Sequence, residues 1–194
     1  MAEFVERANG AEATDPSAVG HQHRVADIAV AIATDLGLDA EAVESIRVAA
    51  LLHDIGKTPI PTDAPNHRGA VSLSEWEMIK THCQVGYEIV AGSLIESHVA
   101  EMVLQHHERC DGSGFPAGLR GDEISLGARI LAVADTVEDE MSHPPEGVDG
   151  ALDHALATIR RGRDSLFDRN VVTACLRLDQ ERRLLLGGEV VPGA

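Results

Sequence analysis

Leu51-Leu52-His53-Asp54-Ile55-Gly56-Lys57 sets an imidazole and a carboxylate side by side at the end of an apolar run. Upstream of it, Val43, Ile46, Ala50 and Leu51 recur at helical spacing from a cap at Asp39, and Gly56 with Pro59 stops the run. A second pair, His106-His107, ends another helical run from Ser97 through Met102 and Val103. A lone buried histidine is usually a hydrogen-bonded core residue. Two His-containing pairs, each at the end of an apolar helix, fit a metal site better. Imidazole nitrogens and carboxylate oxygens suit divalent Zn, Mn, Fe or Ni, and no thiolate is required.

The remaining pattern is helical throughout. Asp15-Pro16-Ser17 can cap a helix that carries His21, Val25, Ile28, Ala29, Ile32 and Leu36, with Gly37 ending it. Residues 58–72 hold three prolines and read as a loop. Ser74 can cap a helix through Trp76 and Ile79 to His82, and a separate helix is expected over 85–95. Residues 111–122 carry four glycines and a proline, the mark of a surface loop, and such loops often carry function. Leu126 to Met141 resumes the helical period with Ile130, Val133 and Val137, and His143-Pro144-Pro145-Glu146-Gly147 breaks it. Two more helices fit 150–161 and 168–186. Nothing alternates with period two over a convincing span, so the fold class is all-α.

Composition supports that class. Hydrophobic residues make up 44% of the 194-residue chain but aromatics only 3%, so the core must be built of Ala, Val, Leu and Ile in closely packed helices. The formal charge is −16, with 32 acidic against 16 basic residues. Such a surface repels nucleic-acid backbones and anionic membranes, so DNA, RNA and membrane insertion are not expected. Cys83, Cys110 and Cys175 form neither a disulfide framework nor a CxxC motif, which points to a reducing, cytoplasmic setting. The first residues lack the basic start and apolar run of a signal peptide.

His21, His53, Asp54, His82, His106, His107 and Asp135 are the candidates for one converging site. Each lies near a helix end or within an apolar face, where an unpaired ionisable group is costly. Asp135 follows Ile130-Leu131-Ala132-Val133-Ala134, so it needs a metal, a cap or a salt-bridge partner. His21 competes with the nearby His23, and His82 suits a ligand and a surface histidine equally. His23, His67, His98, His143 and His154 are assigned to surface or loop roles.

The ordered segments carry a resemblance. Gly-His-Gln-His-Arg-Val at 20–25, His-Asp-Ile-Gly-Lys at 53–57 and Glu-Trp-Glu-Met-Ile-Lys-Thr-His at 75–82 come first. His-His-Glu-Arg-Cys-Asp-Gly-Ser-Gly-Phe-Pro at 106–116 and Ala-Arg-Ile-Leu-Ala-Val-Ala-Asp at 128–135 follow. Together they resemble the HD-GYP domains, the branch of the HD phosphohydrolases that cleaves cyclic di-GMP. The resemblance runs from about Asp15 to Leu178. It implies an HD-domain helical bundle extended by C-terminal helices, with residues 1–14 an extension or linker, 15–186 the domain and 187–194 a tail.

The resemblance also implies roles. His21, His53, Asp54, His82, His106, His107 and Asp135 would hold two divalent metal ions, Fe or Mn, with Asp54 bridging them. Asp54 and Lys57 would be catalytic, Lys57 contacting the phosphate and the attacking water. Hydrolysis of cyclic di-GMP to linear pGpG, and onward to GMP, would proceed through a hydroxide bridging the metals. On the residues alone, Lys57 is equally a cation at a helix C-terminus. The loop at Gly114, Phe115 and Pro116 would serve contacts with a signalling protein.

Four departures from the family pattern bear on activity. Phe115 stands where the signature has tyrosine, so a hydroxyl is lost. Ser17 stands where three-metal members have Glu, which favours two metals. His143-Pro144-Pro145-Glu146-Gly147 replaces a segment with two arginines, one of which holds phosphate. Asn66-His67-Arg68-Gly69-Ala70 lacks two lysines of the family loop. Arg68 and Arg109 are the remaining candidates for phosphate contact. Two expectations follow: an active phosphodiesterase with altered substrate grip, or a catalytically weak module that senses a nucleotide or binds a partner.

Overall fold

The computed structural model describes residues 20–57, 73–145 and 147–184, with the backbone alone at 73–76, 78 and 79. The expected extension at 1–14, the cap at Asp15-Pro16-Ser17, the loop with Arg68 and the tail at 187–194 lie outside the described residues. Among those described there are seven α-helices and no strand, as the missing period-two pattern predicts. They are α1 (His21–Asp35), α2 (Ala40–Leu52), α3 (Leu73–Ala91), α4 (Ser97–Gln105), α5 (Leu126–Ser142), α6 (Ala151–Arg161) and α7 (Arg169–Gln180). A 3-10 turn, Ile55–Lys57, follows α2, and a second spans Gly121–Glu123.

Caps set several of the bounds. Asp39 accepts a hydrogen bond from the Ala42 amide at 2.9 Å, and Asp168 accepts from the Asn170 and Val171 amides at 2.7 and 3.1 Å. Three boundaries differ from the sequence expectation. α1 begins at His21 with Gly20, left-handed at φ 79°, as its N-cap, in place of the Asp15-Pro16-Ser17 cap, since the left-handed glycine breaks the helix just before His21. One continuous helix, α3, replaces the two expected over 74–82 and 85–95. No proline interrupts it, and Gly86 lies in its interior, where a Cβ would stand 3.0 Å from a Val103 methyl, a tight contact. α7 stops at Gln180 rather than running to 186. Arg182 takes a left-handed conformation, and the Arg182 and Arg183 amides bond back to the Asp179 and Leu178 carbonyls, a Schellman closure.

α1 and α2 pack against each other, and α5 lies across both. α3 pairs with α4, α4 touches α2 and α5, and α6 and α7 close the far side against α5 and α1. Alanines 29, 33, 49, 50, 128 and 134 are fully buried at these contacts, with Ile32, Ile46, Leu52 and Ile130 between them. Small side chains let the helix axes approach, which is how a core almost without aromatic rings reaches full packing.

Gly56 fixes the approach that the site needs. A Cβ at this position would lie 2.0 Å from the His82 carbonyl oxygen and 2.6 Å from the Gly86 nitrogen. Only hydrogen fits there, so the turn after His53-Asp54 is pressed onto the backbone of α3.

Candidate metal centre

The seven candidate residues meet in one place. His21 comes from the first turn of α1, His53 caps α2, and Asp54 follows it. His82 is in the interior of α3, His106 caps α4 with His107 next, and Asp135 is in the middle of α5. The rings form a chain: His21 to His53 at 5.3 Å between centroids, His53 to His106 at 5.1 Å, His106 to His82 at 5.3 Å and His82 to His107 at 5.1 Å. Asp135 Oδ1 stands 3.3 Å from His21 Nε2 and 3.6 Å from His53 Nε2, and Asp54 Oδ1 stands 3.5 Å from His82 Nε2.

Backbone carbonyls orient two of the imidazoles. His53 Nδ1 donates to Ala50 O and His106 Nδ1 donates to Val103 O, each at 2.7 Å. A carbonyl oxygen only accepts, so the proton is on Nδ1 and Nε2 is turned inward. His53 Nε2 and Asp54 Oδ1 are buried and have no hydrogen-bond partner. Such orphaned polar atoms are expensive unless something charged completes them, and a cation fits both. The donors fall into two groups: His21, His53 and Asp54 in one, and His82, Cys83, His106 and His107 in the other. Within each group one donor atom per residue lies within 4.8 Å of the others. These residues fit a divalent metal by donor type and spacing.

The electrostatics point the same way. Burial alone would raise the Asp54 pKa, but Lys57, His53 and His82 hold it well below the usual carboxylate range. Burial likewise opposes ionisation of Asp135, and the neighbouring His21 and His53 bring its pKa well down. His106 is driven well below the ordinary imidazole value by burial and then by His107, His53 and His82. Burial takes His107 down to about 3. Two ionised carboxylates beside the neutral His106 and His107 are protonation states that metal binding requires. On the other side, and against burial, neighbouring carboxylates raise His21 to about 10 and His53 above its ordinary value, so an ion there would displace protons.

Lys57 Nζ donates to Asp54 Oδ2 at 2.7 Å and is about one-third exposed at 34%, so its charge is at the edge of the centre. Arg109 lies with its guanidinium 5.3 Å over the Phe167 ring and donates to the Glu108 carbonyl at 3.1 Å. Phe115 stacks against His107 with centroids 4.9 Å apart and planes tilted by 35°.

Three residues at the site escaped the sequence reading. Glu138 is only 2% exposed; it accepts hydrogen bonds from His21 Nδ1, from Arg24 Nε at 2.6 Å and from Ser142 at 2.6 Å. Its signal was its place three residues after Asp135, on the same face of α5. Glu108, equally buried, accepts from the amides of Ala117, Gly118 and Leu119 at 2.7, 3.2 and 3.0 Å. That clamp draws the Gly114-Phe115-Pro116 loop onto the centre. The loop passes so close that a Cβ on Gly114 would lie 2.3 Å from the Arg109 nitrogen. Cys83 is the third, with Sγ 3.6 Å from His82 Nε2 and its thiol pushed up to about 12 by burial.

A family model described as HD domain matches residues 8–171, across the whole centre. The chain belongs to the HD-domain family. Among HD domains it is of the HD-GYP type, with Phe115 in the tyrosine position. This HD domain is 41% identical over 157 residues to the cyclic di-GMP phosphodiesterase response regulator RpfG of Xanthomonas campestris, covering 79% of the chain and 41% of that protein. It is 37% identical over 163 residues to a cyclic di-GMP phosphodiesterase of Thermotoga maritima, covering 83% of the chain and 44% of the relative. A 3'3'-cGAMP-specific phosphodiesterase of Vibrio cholerae is 34% identical over 158 residues, covering 81% of the chain and 34% of that protein. The HD domain thus spans less than half the length of these relatives.

Solved structures share its fold. A cyclic GMP-AMP specific phosphodiesterase of V. cholerae superposes with a TM-score of 0.74 at 20% identity, over 97% of this chain and 50% of that one. The HD domain of the L. monocytogenes phosphodiesterase PgpH, in complex with cyclic-di-AMP, gives 0.63 at 18% identity over 94% of each chain. No helix of the described residues is long and apolar enough to cross a membrane.

Proposed function

We propose that the chain is a metal-dependent cyclic dinucleotide phosphodiesterase, acting on cyclic di-GMP and opening it to linear pGpG and then GMP. The observation that carries this reading is the pair of orphaned buried atoms, His53 Nε2 and Asp54 Oδ1, at the junction of the two donor groups. The likeness to relatives named for cyclic di-GMP and 3'3'-cGAMP hydrolysis supports a cyclic dinucleotide as substrate.

His21, His53, Asp54 and Asp135 would hold one ion and His82, His106 and His107 a second, with Asp54 between them. Both ions would be Fe or Mn. When bound, they would supply Lewis acidity to the phosphodiester and acidify water near neutral pH. The protein's own groups do the rest. Ala50 O and Val103 O lock the ring orientation of His53 and His106. Glu138 does the same for His21. Lys57, at the rim and tied to Asp54, would offset charge developing on the phosphoryl oxygens. The Phe115 ring packs against His107 and helps hold its imidazole in place.

A second reading rests on the end of α5. The chain there runs His143-Pro144-Pro145, with both prolines exposed, so the arginine that grips phosphate in the family pattern is replaced by a proline, which has no charge and no side-chain donor. A module that binds nucleotide but turns it over slowly fits that loss.

Incubation of the metal-defined protein with cyclic di-GMP and with 3'3'-cGAMP, followed by chromatography, tests both. Linear product that appears with Fe or Mn and disappears on chelation is the expected result. Nucleotide binding without product favours the weak module. Absence of both binding and product with either nucleotide overturns the proposal.

A further inference from the structure

Cys83 carries an inference that neither the motifs nor the proposed reaction uses. It is fully buried and adjoins His82 on α3, and its Sγ belongs to the same donor cluster as His82, His106 and His107. In tetrahedral zinc sites, metal–nitrogen bonds of about 2.05 Å and a metal–sulfur bond of about 2.3 Å put neighbouring nitrogens about 3.3 Å apart and sulfur about 3.6 Å from nitrogen. His82 Nε2 and His106 Nε2 are 3.3 Å apart, and Cys83 Sγ is 3.6 Å from His82 Nε2. Two edges of such a tetrahedron are therefore already present. A second observation points into the same space: the partnerless Asp54 Oδ1 lies 3.5 Å from His82 Nε2.

We propose that Cys83 is a metal ligand on the His82, His106 and His107 side of the centre, and that it makes this half prefer thiophilic divalent ions, ferrous iron of the two proposed for the centre, over manganese. On binding, the thiol proton leaves to solvent as the sulfur–metal bond forms, because a coordinating thiol is deprotonated outright. Soft thiolate and imidazole donors together favour zinc and iron, whereas manganese prefers oxygen. The inference rests on the centre being a metal site and is independent of which nucleotide is hydrolysed.

Titration of the metal-stripped full chain with Co(II) under anaerobic conditions tests it. The expected spectrum has an intense near-ultraviolet sulfur-to-cobalt charge-transfer band beside the weaker visible ligand-field bands. In Cys83→Ser the charge-transfer band should vanish while ligand-field bands remain. Zinc affinity, measured by competition with a chromophoric chelator, should fall at least about tenfold in the variant, with manganese affinity unchanged. Should Cys83→Ser fail to fold, Cys83→Ala avoids burying a hydroxyl and answers the same question. Ligand-field bands without charge transfer in the unmodified protein, or charge transfer that survives both substitutions, overturn the role of Cys83 and leave the metal centre standing. No cobalt binding at all overturns the metal reading as well.

Discussion

Lys57 Nζ stands 2.7 Å from Oδ2 of Asp54, while Oδ1 of the same carboxylate is buried without a hydrogen-bond partner. One carboxylate thus faces a rim cation with one oxygen and the donor cluster with the other. The two residues should separate on mutation. Asp54→Ala is expected to abolish turnover and to lower metal content, because it removes the carboxylate proposed to serve both ions. Lys57→Ala should lower kcat by about a hundredfold to a thousandfold, the range for loss of one preorganised charge-stabilising donor, with metal content retained. Elemental analysis beside steady-state kinetics reads both. Full metal content in Asp54→Ala would show that this carboxylate does not bridge.

Glu138 holds His21 from behind. An outer carboxylate that accepts from a ligating imidazole typically contributes tenfold to a hundredfold in metal affinity. Glu138→Ala should therefore weaken metal binding by about that factor, while Glu138→Gln, which still offers an oxygen to the imidazole N–H, should cost less. Chelator competition gives the affinities. Equal losses in the two variants would mean that the charge of Glu138, and not its hydrogen bond, is what matters.

The metal-free protein should lose stability as pH falls below about 6.5. His107 has a folded-state pKa of about 3 against an ordinary value of 6.5, and His106 is also lowered, in both cases chiefly by burial. A depressed folded pKa gives stability that is present above pH 6.5 and is lost as pH falls toward 3, where the unfolded chain binds the extra protons. His21 has the opposite sign. Burial would lower its pKa, but hydrogen bonds to Asp135 and Glu138 raise it to about 10, so its contribution is full below pH 6.5 and fades as pH rises through 10. Denaturant titrations of the metal-free protein across pH should show the acid-side decline, and its absence would contradict the buried, neutral state of both histidines.

Pro144 is exposed at the end of α5, where the family pattern has an arginine. Pro144→Arg should tighten binding of a non-hydrolysable cyclic di-GMP analogue by about tenfold to a few hundredfold, the usual scale of a charge-assisted phosphate contact. Calorimetry on both proteins measures the change. Tight binding by the unmodified chain would instead assign the phosphate to a cation already present, such as Arg109.

The helical class and the order of the helices were legible in the chain itself, and the seven residues that the packing brings together stood out there as candidates. Apolar spacing of 3.6 and local caps such as Asp39 act within a few residues, and the His-Asp and His-His pairs stand out against apolar runs. Where local signals were weak, the reading erred. The period through 82–85 did not reveal that α3 runs on unbroken past Gly86, because a glycine there reads as a break locally, while in the fold it sits close against Val103 of α4. The pairing of Glu138 with His21 spans 117 residues. Glu108 closing its own loop, and Cys83 turning its sulfur toward His82, depend on how whole helices pack. Periodicity states which face of a helix is buried; it does not state which other face it meets. Only the packed fold, with Gly56 admitting the His53-Asp54 turn against the backbone of α3, brings those faces together and leaves two polar atoms without partners where they converge.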